Sequence, residues 1–299
     1  MKTKFNLSFL LLGLLFLSSF SIKAQKEQEP NSRFAGVQIG CITYSYRNMP
    51  DQSLDAILGY IVKNGINSVE LMGNVVENYL GIPDTKDAAI LRAWRANLKL
   101  DKADEIKQLF DAKGVEIHIL KLGRPNWSDE EIEYAFNLCE RLGAQGLSME
   151  INEKTAVRYA PFAERHNLLV IFHNHLQPKD PNFSFDEILA VSNNLRLNFD
   201  AGHYYGATGI DPCRFVERLQ NRIFSIHLKD KTGLFDSPSN ENQVWGKGGS
   251  SLPELLRYVR DNQLPIYCDV ELEYPVPSSS NDVQEVGKCI NFCQNVLEK

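Results

Sequence analysis

One pattern repeats along the chain from Val37 onward, and it restricts the fold more than any other feature. A short apolar run is followed by a loop, an amphipathic helix and a turn. The apolar runs cover 37–42, 68–72, 115–120, 146–151, 168–172, 195–199, 223–228 and 265–270. They are nearly continuous rather than alternating, as strands of a parallel sheet buried on both faces must be. Helix signals stand between them. Leu54, Ile57, Leu58, Ile61 and Val62 share one helical face, and Gly65 sits where a C-terminal glycine cap belongs. Ser128 with Glu131, and Ser184 with Glu187, have capping-box spacing, and Asp211-Pro212 puts a cap residue before a first-turn proline. Further helices are expected over 88–113, 153–167, 252–262 and 281–298, and long loops over 73–87 and 231–250. Eight strands alternating with eight helices predict an α/β chain closed into a single (β/α)8 TIM barrel. An open doubly wound sheet would more often carry a glycine-rich phosphate turn after its first strand, and Gly40-Cys41-Ile42-Thr43-Tyr44 is not one.

The N-terminus does not share this pattern. Lys2 and Lys4 precede an apolar run from Phe9 to Phe20, and small and polar residues follow as far as Ala24. That order is the order of a secretory signal peptide, and the run is short for a membrane span, which needs about 20 residues. The expected organisation is a signal peptide over 1–24, an N-terminal extension over 25–36 and the barrel over 37–299, exported and periplasmic, with no membrane segment after cleavage. The net charge of −6 becomes more negative once the signal lysines are gone, and an acidic chain with no basic run offers nothing to a phosphate backbone. Nucleic acid is therefore not an expected partner. The six cysteines form no CxxC pair and read as buried free thiols, with Cys289 and Cys293 on one helical face. Nothing in the sequence marks an oligomeric state.

In a barrel of this kind the active site lies at the C-terminal ends of the strands. Those ends carry Glu150, then His173-Asn174-His175, Asp200-Ala201-Gly202-His203, His227-Leu228-Lys229-Asp230 and Glu271-Leu272-Glu273. Five consecutive strands thus send carboxylates and imidazoles to one rim. Buried carboxylates need compensation, and several converging ones call for a cation. Mixed Glu, Asp and His donors suit Mn²⁺, Zn²⁺, Co²⁺ or Mg²⁺. Glu70, at the end of the second strand, and Trp245, in the glycine-rich segment Trp245-Gly246-Lys247-Gly248-Gly249, are candidate contacts for a sugar. That segment also has the composition of a lid.

Four segments carry a resemblance: Phe172-His173-Asn174-His175, Phe199-Asp200-Ala201-Gly202-His203, His227-Leu228-Lys229-Asp230 and Val270-Glu271-Leu272-Glu273. In order and spacing the chain resembles the sugar phosphate isomerase/epimerase family of xylose isomerase-like barrels over its whole mature length. The resemblance implies one divalent metal ion, with Asp200, His227 and Glu271 as ligands. Glu150 is the expected fourth ligand, with His173 or His175 the alternative, because many relatives place a glutamate where this chain has His173-Asn174-His175. It also implies proton abstraction beside a carbonyl, with Glu150 and Glu271 as the acid/base pair and His203 and Lys229 in support. His173, His175, Glu70 and Trp245 are expected to contact substrate. Export and the lack of a phosphate-binding turn favour a free sugar, keto sugar or keto-glycoside over a sugar phosphate. A metal-dependent lyase or dehydratase, and an exported sugar-binding barrel without catalysis, are the competing functions.

Overall fold

The computed structural model describes residues 29–299. The apolar segment read as a signal peptide, and the start of the extension, lie outside these residues. The described residues hold nine strands: β1 (Arg33–Phe34), β2 (Val37–Ile42), β3 (Ser68–Met72), β4 (Glu116–Lys121), β5 (Gly146–Glu150), β6 (Leu169–His173), β7 (Leu195–Asp200), β8 (Ile223–Leu228) and β9 (Tyr267–Val270). From β2 to β9 each strand pairs in parallel with the next, and β2 returns to β9 through Ile39↔Cys268 and Cys41↔Val270. The sheet therefore closes, and helices surround it: a single (β/α)8 barrel. β1 forms an antiparallel hairpin with β2 outside the barrel pattern, turning through Ala35 and Gly36, both at positive φ. Among the described residues, no helix is long and apolar enough to cross a membrane.

The layer between strands and helices is apolar and packed. The helix Leu252–Asp261 buries Leu252, Leu255, Leu256 and Val259, all on one face. The last helix, Asp282–Leu297, buries Val286, Cys289, Ile290 and Cys293 against the barrel. All six cysteines are free, five of them buried and Cys213 half-buried. Ser128 and Glu131 close a reciprocal capping box ahead of the helix Asp129–Leu142. Ser184 accepts from the Glu187 amide, but the helix it starts, Phe185–Leu189, is a single short piece.

Two expectations need correction. The segment 88–113 is two helices, Ala88–Asn97 and Asp101–Asp111. Leu98 adopts an extended conformation between them, and Asp101 and Asp104 supply negative charge to the new N-terminus. The segment 73–87 is not all loop, because Gly73–Leu80 is helical. No side chain caps that helix at its start, so the usual sequence signal is missing.

The inside of the barrel is unusual for the fold. Layers of branched apolar side chains generally fill such a bore. Here Ser68, Glu70, His118, Ser148, Asn198, Ser225 and Asp269 lie in it, all essentially without solvent exposure. At the lower end His118 takes Ser68 Oγ at 2.8 Å on Nδ1 and Asp269 Oδ2 at 2.9 Å on Nε2, with its ring stacked on Tyr267 at 4.3 Å. Gly40 on β2 faces this pair, and a Cβ placed there would overlap Asp269 Oδ1. The Asp269 side chain is held by His118 and has little freedom to retreat. Gly40→Ala is expected to cost about 1–3 kcal/mol of overpacking, measured as a lower denaturant midpoint with an unchanged m-value.

Candidate metal centre

The residues at the strand ends converge as the barrel geometry requires, though not in the combination the sequence suggested. His173 ends β6, Asp200 ends β7, His227 lies on β8 and Glu271 follows β9. Each offers one donor atom within 4.8 Å of the others, and all four are buried. Alternation along each strand explains the stacking. Asn198 lies two residues below Asp200, Ser225 two below His227 and Asp269 two below Glu271. The polar bore and the mouth site are therefore successive layers of the same inward faces.

His227 joins those layers. Its Nδ1 lies 2.9 Å from Glu271 Oε2, and its Nε2 lies 2.7 Å from Glu70 Oε2. Glu70 also accepts from Ser148 Oγ at 2.6 Å and from Asn198 Nδ2 at 2.7 Å. Burial opposes ionisation of Glu70, but His227, Lys121 and these donors hold its carboxyl down at about 2. Burial likewise opposes a charged His227, yet Glu271 and Glu70 together hold the imidazole well above its ordinary value. The expectation that Glu70 contacts sugar is corrected here: it has no solvent exposure and spends its acceptors within the barrel.

Lys229 is a second internal cation. Its Nζ lies 2.7 Å from Glu273 Oε2, 2.9 Å from Glu271 Oε2 and 3.0 Å from Asp200 Oδ2. The three contacts clamp the ammonium among carboxylates. Burial opposes its charge, and the three carboxylates more than restore it. Glu271 is held well below the usual carboxylate range: burial works against this, but Lys229 and His227 prevail. Glu273 is a site residue that spacing could have flagged, since Glu271-Leu272-Glu273 sends both glutamates to one face of an extended segment.

Glu150 does not join the quartet. It stands at the open mouth, its side chain 46% exposed, with Oε2 2.7 Å from His175 Nδ1 and Oε1 3.6 Å from Lys121 Nζ. His173, beside it in the β5–β6 register, takes the inner position. His203 sits near the mouth, its Nε2 3.9 Å from Glu273 Oε2 and its ring 4.6 Å from that of His175. Burial, then Lys229 and Lys231, push His203 down to about 2, so it is neutral. Trp245, expected to contact substrate, is instead buried edge-on against Phe292 at 5.6 Å, a residue of the last helix. The segment around it is pinned rather than free. Asp230 accepts from the amides of Gly246 at 2.8 Å, Gly248 at 2.9 Å and Ser250 at 3.2 Å.

The quartet fits a divalent cation. It combines two imidazoles with two carboxylates, a mixture that borderline and hard ions accept. Asp200 Oδ1 caps the following helix through the His203 amide at 2.6 Å, which leaves Oδ2 with Lys229 Nζ at 3.0 Å as its near partner. His173 Nδ1 has no hydrogen-bond partner. Burial raises the Asp200 carboxyl to about 6 in spite of Lys229, the mark of an anion short of positive charge. Glu70, Asp200, Glu271 and Glu273 crowd four carboxylates into this region, and a dication would offset part of their charge.

No protein-family model matches the chain, and no curated protein matches it. Solved structures do. The fold superposes on the probable 3-DHS dehydratase AsbF involved in petrobactin synthesis from Bacillus anthracis, with a TM-score of 0.62 and 17% identity over 88% of this chain and 99% of that one. It is similar to a sugar phosphate isomerase/epimerase from Parabacteroides distasonis, with a TM-score of 0.61 and 17% identity over 88% and 98%. A xylose isomerase domain protein from Alicyclobacillus acidocaldarius gives a TM-score of 0.62 and 14% identity over 88% and 100%. The fold is that of the xylose isomerase-like barrels. Such a barrel puts its variable chemistry on the strand ends, and here those ends carry the quartet, the Lys229 clamp and the Glu150–His175 pair.

Two outcomes test these assignments. Glu70→Ala leaves the His227 imidazolium with one buried partner fewer, and is expected to destabilise the fold by about 3–5 kcal/mol in denaturant titration. A KM change with stability intact would return Glu70 to the substrate. Asp230→Ala is expected to speed hydrogen exchange at the amides of 246–250 while leaving the strands protected.

Proposed function

We propose that the chain is a divalent-metal-dependent sugar isomerase or epimerase, exported in keeping with its N-terminal segment, that moves a proton on a carbon next to a carbonyl. The observation that carries this reading is the buried quartet His173, Asp200, His227 and Glu271 at the mouth of a xylose isomerase-like barrel. A divalent ion held there, Mn²⁺, Zn²⁺, Co²⁺ or Mg²⁺, supplies a Lewis acid for a substrate carbonyl. The substrate class is a free sugar, keto sugar or keto-glycoside, since a phosphate-binding turn is missing from the sequence. The similarity to structures described as a sugar phosphate isomerase/epimerase and a xylose isomerase domain protein is consistent with a sugar-processing enzyme.

The proton-transfer roles differ from those the sequence suggested. Glu271 is clamped by Lys229 and His227 and is too weak a base to take a carbon-bound proton readily. His175 is better suited. Its hydrogen bond to Glu150 raises its pKa more than burial lowers it, and 45% of its side chain is exposed at the mouth. Glu150 orients the ring and stabilises its protonated form, so the pair works as imidazole and positioning carboxylate. Lys229 places a fixed positive charge beside the quartet, where it can hold a substrate oxygen as negative charge develops. A protonated His175 could also deliver its proton to a leaving oxygen. That keeps a lyase or dehydratase as the second reading, and the similarity to the probable dehydratase points the same way.

The test begins with elemental analysis of purified mature protein, where near-stoichiometric metal is expected, and loss of that metal in a folded Asp200→Asn variant. Chelation is expected to abolish solvent-deuterium incorporation into keto sugars. With Mn²⁺ bound, His175→Gln is expected to keep the metal and lose about 10²–10⁴-fold in kcat. A parent that binds none of the four ions after incubation would overturn the metal-dependent mechanism and leave a sugar-binding barrel.

A further inference from the structure

Beside the quartet lies a second convergence of donors made of imidazoles alone. His173, His175 and His203 each bring one ring nitrogen within 4.8 Å of the others. Their rings meet edge to face, at 4.7 Å between His173 and His175 and 4.6 Å between His175 and His203. Both nitrogens of His203, and Nδ1 of His173, are buried with no hydrogen bond. An unpaired buried polar group costs about 1–3 kcal/mol, and a cation among the rings would complete one nitrogen of each. His175 adds a separate indication. Glu150 takes its Nδ1 at 2.7 Å, which is the carboxylate–histidine arrangement that orients a metal-binding imidazole and leaves Nε2 free.

We infer that His173, His175 and His203 form a second cation seat at the barrel mouth, selective for an imidazole-seeking ion such as Zn²⁺, and that its occupation inhibits the enzyme. This rests on the proposed function, because inhibition follows from taking His175 out of proton transfer. Three imidazoles and no carboxylate are a poor environment for Mn²⁺ or Mg²⁺ and a good one for Zn²⁺ or Co²⁺. Zinc takes three protein ligands and keeps a fourth position for water in open sites, which matches a trio facing the mouth. His173 belongs to both groups, so an ion on the trio also withdraws a donor from the quartet. The two seats differ in hardness: imidazole and carboxylate mixed below, imidazole alone above.

The experiment is equilibrium dialysis of chelator-stripped, full-length mature protein against Mn²⁺ and, separately, Zn²⁺, with elemental analysis of each. Asp200→Asn is expected to lose Mn²⁺ and retain Zn²⁺. His175→Gln is expected to retain Mn²⁺ and weaken Zn²⁺ by at least about 10–100-fold. His175 is half-exposed, so this substitution leaves the fold intact, and His203→Gln provides an independent second variant. The trio is overturned if both histidine variants bind Zn²⁺ as tightly as the parent, or if Asp200→Asn loses Zn²⁺ together with Mn²⁺. Retention of Mn²⁺ by Asp200→Asn would instead overturn the carboxylate seat, and the His175→Gln result would still decide the trio.

Discussion

Charge inside the barrel is the constraint on which the rest of the site depends. Glu70 and Asp200 have no solvent exposure and Glu271 has little, in a bore that other barrels fill with hydrocarbon. Removing one partner of such a group leaves a charge with no water to turn to, which makes the network rigid. His227 answers Glu70 on one nitrogen and Glu271 on the other, and Lys229 answers Asp200, Glu271 and Glu273 together. Burial raises the Asp200 carboxyl to about 6 in spite of Lys229, and a dication in the quartet would favour its ionised form.

The network also fixes where mobility is available. Because the bore is bonded from Ser148 and Asn198 up to Glu271, the lower site cannot shift to meet a substrate. The half-exposed pair Glu150–His175 stands above it, and the bond to Glu150 raises the His175 pKa more than burial lowers it. The segment after β8 is tied by three amides to Asp230, and a Cβ at Gly248 would collide with that carboxylate. A fixed loop of this kind shapes the mouth without closing over it.

Much of this was legible in the sequence, for identifiable reasons. A strand buried on both faces must be apolar throughout, so eight such runs could be counted, and β2, β3 and β8 have the boundaries their composition suggests. Polar residues at the ends of apolar runs marked the rim, and the resemblance to xylose isomerase-like barrels then implied Asp200, His227 and Glu271 as ligands. Glu150 sits on an equivalent strand end, yet the structure leaves it at the mouth and draws His173 inward. The two are register partners on neighbouring strands, and which of them turns inward is not a property of sequence spacing. Trp245 and the helix Gly73–Leu80 escaped for different reasons: the ring's partner, Phe292, is remote in the chain, and the helix starts without a capping side chain.

What the sequence by itself determined is the class of fold and the rim at which chemistry gathers, because both follow from local periodicity and from strands that all run the same way. Only the closed barrel decided which groups share charge. Glu70 and His227 are 157 residues apart, and His118 and Asp269 are 151 apart. Their pairing comes from registers between strands and from the return of β2 to β9. The pKa order at the mouth depends on the same closure, since burial and neighbouring charge set it, and both are properties of three-dimensional proximity.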